Sequence, residues 1–205
     1  GSSVTGESRI FYCKKEQNCR IRRVYLLPER PKALPAVIEA IENADMIILA
    51  PGSLYTSIIP NLLVEGVAEA IERSAALKIY TCNVMTQEGE TEGYTVSDHI
   101  RALFKHSKPS LFSLCLANSA PIPLAISRLY AKEGAAPLVC DGEKCEQMGV
   151  RVVQRPIAAV ENNFVRHNPG HLARELMLLH AEDCLRRAME CEENEEGKPC
   201  PFPTK

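Results

Sequence analysis

The chain has 205 residues, long enough for one α/β domain with a substantial core, and 45% hydrophobic with 24% charged residues is an ordinary globular composition. With 24 Lys and Arg against 26 Asp and Glu, the net charge is −2 at pH 7, which argues against nucleic acid as the main partner. No apolar run approaches the roughly 20 residues of a membrane helix and no signal-peptide pattern opens the chain, so a cytoplasmic protein without a membrane partner is expected.

Residues 9–13 and 20–27 read as two strands joined by the polar segment KKEQN, a hairpin pattern. After Pro28, Pro31 and Pro35, an amphipathic helix is predicted from about Ala33 to Asn43, with Val37, Ile38 and Ile41 on its apolar face. A strand from Met46 to Ala50 leads through Pro51, Gly52 and Ser53 into a helix running to about Ser74. Ile79 to Val84 is the next strand, followed by a polar loop over residues 85–94, MTQEGETEGY, and a helix from Val96 to Lys105. Leu111 to Ala117 is a near-continuous apolar strand of the kind buried on both faces. A helix over 124–132, a short strand from Pro137 to Cys140, and extended pieces at Val150–Val153 and Ile157–Val160 come next. A long helix over 169–190 carries Leu172, Leu176, Leu179 and Leu185, and the acidic then proline-rich residues 192–205 read as a disordered tail.

Alternation of strand and helix on this scale predicts an α/β fold: a doubly wound, mostly parallel, Rossmann-like sheet with helices on both faces, as one domain over residues 1–191. The nine cysteines are odd in number and form no Cys-x-x-Cys pair, so neither a disulfide framework nor a metal site is expected. Cys82 and Cys115 lie in apolar strands, where free cysteine acts as a small core hydrophobe.

The most informative stretch is ADMIILAPGSLYTSIIPN at 44–61. A strand, a tight turn and a helix start in that order gather free backbone N–H groups where a phosphate can bind, at the carboxyl end of a parallel strand. Gly52 permits close backbone approach, Ser53, Thr56 and Ser57 offer hydroxyl donors, and Tyr55 either stacks on a base or sugar or fills a gap under the loop. Beyond the next strand, Asn83, Thr86 and Gln87 head a polar loop at the same sheet edge, able to close over one ligand. Asn83 offers both a donor and an acceptor. Asp98, after Thr95 and Ser97 at a helix start, reads as a cap rather than an acid–base group, and no catalytic residue is identified.

The words VTGES at 4–8, PGSLYTSIIPNLLV at 51–64, CNVMTQEGETEGY at 82–94 and SDH at 97–99 resemble the gluconeogenesis factor (YvcK-like) family, related to the 2-phospho-L-lactate transferases (CofD-like). The likeness runs in order from residue 4 to about 180. Members of that family begin with a GGGTG-type turn that does not occur here, so the resemblance implies a chain corresponding to the C-terminal two-thirds or so of a member, without the first βαβ part. It also implies a nucleotide or nucleotide-sugar ligand of the UDP-N-acetylglucosamine type, a regulatory role in carbon metabolism and cell-wall or shape maintenance, and ligand-holding roles for Tyr130 and Arg166. The alternative it implies is a transferase moving a phospholactyl-type group from a nucleotide donor to a deazaflavin, with Mg²⁺; otherwise no cofactor is expected. A sheet lacking its first strands leaves an unpaired edge, so self-association into homo-oligomers is expected as well.

Overall fold

The computed structural model describes residues 3–6, 9, 10, 12 and 20–193. Its centre is a four-stranded sheet of β1 (Met46–Leu49), β2 (Leu77–Thr81), β3 (Leu114–Asn118) and β4 (Arg151–Arg155), in the spatial order β1-β2-β3-β4. All three pairings are parallel; Met46 lies opposite Leu77, Ile79 opposite Leu114, and Leu114 opposite Arg151. Every strand therefore ends at one common edge, where the loops 50–58, 82–94 and 119–123 emerge.

From residue 20 to residue 193 the helices are α1 (Pro35–Glu42), α2 (Ile59–Leu62), α3 (Val67–Arg73), α4 (Val96–His106), α5 (Leu124–Ala131), α6 (Gly142–Glu146) and α7 (Pro169–Glu193), with a π-helical turn over Leu54–Ile58 running directly into α2. Alternation of side chains along each strand builds two cores. Tyr80, Cys82, Cys115 and Ala117 point to one face, where Leu54, Ile58, Ile59 and Leu62 pack with Ile71 of α3 and Val96, Ile100 and Leu103 of α4. Leu77, Ile79, Leu114, Leu116 and Val153 point to the other, covered by Leu172, Leu176 and Leu179 of α7. Helices thus occupy both faces, as the strand–helix alternation requires. Cys82 and Cys115 are fully buried thiols, and among the described residues no group of His, Cys, Asp and Glu is placed to hold a metal.

Several segments differ from the sequence expectation for identifiable reasons. The helix expected up to Ser74 is interrupted at Gly66, whose φ of +95° lies in the left-handed region, and an added Cβ there would meet Ile38 Cδ1 at 3.4 Å. Leu185 is exposed, because six residues of helix rotate it well away from Leu179. Pro137–Cys140 makes only isolated bridges, Pro137 with Met85 and Val139 with Thr95. Ile157–Val160 contributes instead to an antiparallel hairpin of β5 (Ala158–Glu161) and β6 (Phe164–His167). Its two-residue turn, Asn162 and Asn163, has φ of +49° and +64°, the type I′ geometry that asparagine tolerates and that matches strand twist.

Of the hairpin expected over residues 9–27, residues 11 and 13–19 lie outside the described residues. Arg9, Ile10 and Tyr12 are helical, and residues 20–26 join no strand. They are held by α4 instead: the Lys105 ammonium donates to the Arg22 carbonyl at 3.0 Å, and the Val24 amide donates to His106. The tail expected to be disordered also lies outside the described residues, except that α7 continues through Glu193.

Candidate functional site at the carboxyl edge of the sheet

The loops after β1 and β2 close on each other. The Gly52 amide donates to Asn83 Oδ1 at 3.3 Å and Asn83 Nδ2 returns a bond to the Gly52 carbonyl at 2.9 Å, so this side chain joins the two strand ends. The Ser53 hydroxyl donates to Gln87 Oε1 at 2.9 Å. Glu90, only 4% exposed, takes the Tyr55 amide on Oε2 at 3.2 Å and the Thr56 hydroxyl on Oε1 at 2.9 Å. A buried carboxylate thus takes the Tyr55 amide and the Thr56 hydroxyl, two of the donors at the start of the helical turn.

Tyr55 is buried as core. Its hydroxyl shares a 2.8 Å hydrogen bond with Tyr94, and its ring meets those of Tyr94 and His106 edge-on at 6.4 and 5.8 Å. Burial, and next the bond to Tyr94, raise its hydroxyl well above the ordinary tyrosine range, so it stays un-ionised. Of the two readings for this ring, filling the space under the loop is the one the packing realises. Ser57 is exposed, its carbonyl capped by Asn61 Nδ2 at 2.7 Å. Thr86 is buried and braces the loop internally, its amide donating to the Ala136 carbonyl and its hydroxyl accepting from the Ala136 amide.

Asp98 caps α4 as its position suggests. It accepts from the Thr95 amide and hydroxyl at 3.1 Å each, and Thr95 completes the reciprocal capping box. From outside the helix, Asp141 adds an acceptor for the Ser97 amide at 2.9 Å and the Ser97 hydroxyl at 2.6 Å. Burial alone would raise the Asp141 carboxyl; the two Ser97 donors lead the effects that outweigh it and leave it below the usual carboxylate range.

The open space at this edge lies one strand further along. A crevice of about 390 Å³ sits across the ends of β2, β3 and β4, bounded by Asn83, Asn118, Ser119, Pro121, Ile122, Leu138, Cys140 and Gln154 among others. Among the described residues, no charged side chain lines it. Asn118 holds its wall together: Oδ1 accepts from the Ala120 and Ala158 amides at 3.1 and 3.0 Å, and Nδ2 donates to the Ala120 carbonyl. Asn83 is the one residue common to the crevice and the sequence-derived site. Asn118, Ser119 and Gln154 were not foreseen, although the polar NS step directly after the apolar run LFSLCLA carries the same strand-end signal that singled out Asn83.

Tyr130 and Arg166 belong to a third group, where α5 packs on the hairpin. The Tyr130 hydroxyl accepts from the Val165 amide at 2.9 Å, while Ile126 and Val165 pack with Val84. Arg166 is exposed with its guanidinium 5.5 Å from the Phe164 ring, a cation–π distance. Next to it, His167 Nε2 bonds the Cys82 carbonyl at 3.1 Å, which places β6 against the end of β2. The structure therefore brings Gly52, Ser53, Tyr55, Thr56, Asn83 and Gln87 together in one clasp, while Tyr130 packs with Val84 and Met85 against the hairpin that carries Arg166.

The sequence model of a family described as 2-phospho-L-lactate transferase CofD matches residues 1–158. The chain belongs to the CofD family. Among members of this family, the gluconeogenesis factor of Halalkalibacterium halodurans is 42% identical over 177 residues, 86% of this chain and 54% of that protein. The gluconeogenesis factor of Bacillus subtilis is 43% identical over 182 residues, 89% of this chain and 56% of that protein. A crystal structure of a Bacillus halodurans protein described as a member of the UPF0052 family superimposes with a TM-score of 0.81 at 41% identity, covering 86% of this chain and 56% of the other. The CofD-family chain thus spans about half the length of the curated relatives it matches. Among the described residues, no helix is long and apolar enough to cross a membrane.

Proposed function

We propose that the chain forms part of a nucleotide-sugar-binding regulatory protein, with a ligand of the UDP-N-acetylglucosamine type, serving carbon metabolism and the maintenance of cell wall and shape. The observation that carries this reading is the uncharged crevice at the carboxyl edge of a parallel sheet, where open α/β folds take their ligands. Asn118, Ser119 and Gln154, neutral polar groups beside Pro121, Ile122 and Leu138, suit a heterocycle or sugar better than a phosphate. The diphosphate falls to Arg166, whose planar fork can donate two parallel bonds. The relatives' name, gluconeogenesis factor, supports the metabolic part.

The description of the CofD family favours a second reading, a transferase carrying a phospholactyl-type group from a nucleotide to a deazaflavin with Mg²⁺. Calorimetric titration of the full-length protein with UDP-N-acetylglucosamine, GDP and a deazaflavin separates the two. The first reading expects saturable binding of the UDP-sugar, weakened about tenfold in Arg166→Lys through loss of the bidentate contact. Deazaflavin-dependent turnover without UDP-sugar binding would establish the second instead.

A further inference from the structure

Residues 20–26 cross the carboxyl end of α4 and are held there by the Lys105 bond to the Arg22 carbonyl, by Ile21 and Val24 packed on the core, and by one histidine that takes a backbone amide. The Val24 amide donates to His106 Nε2 at 3.2 Å, and the opposite ring nitrogen, Nδ1, lies 2.7 Å from the Ala102 carbonyl. A carbonyl can only accept, so Nδ1 carries the proton and Nε2 presents its lone pair to Val24; the bond requires a neutral ring. Val24 and His106 are each 8% exposed, and Val24 belongs to the main core.

We propose that residues 20–26 form a latch, closed on neutral His106 and released when that ring takes up a proton. Protonation converts Nε2 from acceptor to donor, so that it faces the Val24 N–H donor for donor. Among the described residues, the charged groups acting on the ring do not offset the added charge. Arg23 from the latch and Lys105 from α4 are cationic, and Tyr55, from the turn after β1, meets the ring edge-on at 5.8 Å with its hydroxyl un-ionised. Burial first, and then the two cations, hold the imidazole below its ordinary proton affinity against the opposing pull of the Ala102 carbonyl. Release therefore belongs to the acid side of about pH 6.5, the ordinary histidine value.

The latch also reaches the carboxyl edge of the sheet. His106 touches Tyr55, whose amide is held by Glu90 and whose hydroxyl is held by Tyr94. One tyrosine is thus shared between the latch anchor and the clasp of the two strand-end loops.

The test is amide hydrogen exchange at Val24 in the full-length protein, with rates corrected for their intrinsic pH dependence. We expect the protection factor to fall at least tenfold between pH 7.5 and 5.0, with the Ile79 and Cys115 amides in the central strands unchanged. In His106→Gln, whose side-chain carbonyl can accept from Val24 without titrating, protection stays level across that range. Should this variant fold poorly, a titration of the unaltered protein followed by nuclear magnetic resonance gives an independent reading. The Val24 amide and the His106 ring should then share one midpoint below 6.5. Constant Val24 protection in the unaltered protein, or a His106 midpoint at or above 6.5, overturns the latch.

Discussion

Glu90 gives the sharpest test of how the strand-end loops are held. In Glu90→Ala, the Tyr55 amide and the Thr56 hydroxyl lose their shared acceptor. A buried donor left without a partner costs about 1–3 kcal/mol, and the half-exposed Thr56 hydroxyl can recover part of this from water. The sum is about 2–4 kcal/mol. For a chain of this size, that corresponds to a fall of roughly 4–16 °C in the thermal midpoint. Glu90→Gln keeps one carbonyl oxygen for the Tyr55 amide, and its NH₂ can donate to Thr56 once that hydroxyl rotates, so the loss is about 1 kcal/mol from charge assistance alone. Differential scanning calorimetry on both variants at pH 7.5 provides the comparison. Equal midpoints for the two variants, or an alanine variant within 1 °C of the unaltered protein, would refute the role given to the carboxylate.

Gly66→Ala forces an L side chain into φ +95° against Ile38, and should cost about 1–2 kcal/mol, read as a fall in urea midpoint with unchanged slope. Asp141 has its folded-state proton affinity lowered, so its stabilising effect is present above about pH 4 and is lost as pH falls through the lower folded value. Asp141→Asn should therefore be less stable than the unaltered protein at pH 7, and the gap should narrow below pH 4 in urea titrations monitored by circular dichroism. On β1, an edge strand among the described residues, Ile48 is 37% exposed, so Ile48→Lys should reduce self-association of this 205-residue chain on size-exclusion chromatography. A monodisperse monomer before the substitution would remove the premise.

The parallel sheet was legible because its strands are short apolar runs ending in polar steps: MIILA into PGS, KIYT into CN, and LCLA into NS. Three-dimensional partners were not. PGSLYT and the loop containing Asn83, Gln87 and Glu90 were both readable as ligand-seeking, since each is rich in hydroxyl, amide and carboxylate groups at a strand end. Their donors and acceptors largely satisfy one another, and nothing in a linear sequence distinguishes a polar group awaiting a ligand from one already paired thirty residues away. The β5–β6 hairpin carried a readable signal in Asn162–Asn163, but the flanking runs are only four residues long. The attachment of residues 20–26 was illegible for another reason: Val24 meets His106 across 82 residues by a single hydrogen bond, which leaves no periodic trace.

The sequential strand order bears on how the chain comes together. Each parallel pairing closes a loop of roughly 30–40 residues, and closures so alike in length differ in entropic cost by only about 0.2 kcal/mol. Among the described strands of this sheet, none has to be threaded between two that have already paired. The sheet can grow outward from β2–β3, the pair buried on both sides, with β1 and β4 joining at either flank in either order. Folding speed should then be governed by the formation of that inner pair, so truncating Ile79 or Leu116 should slow folding more than an equally destabilising change in β1 or β4.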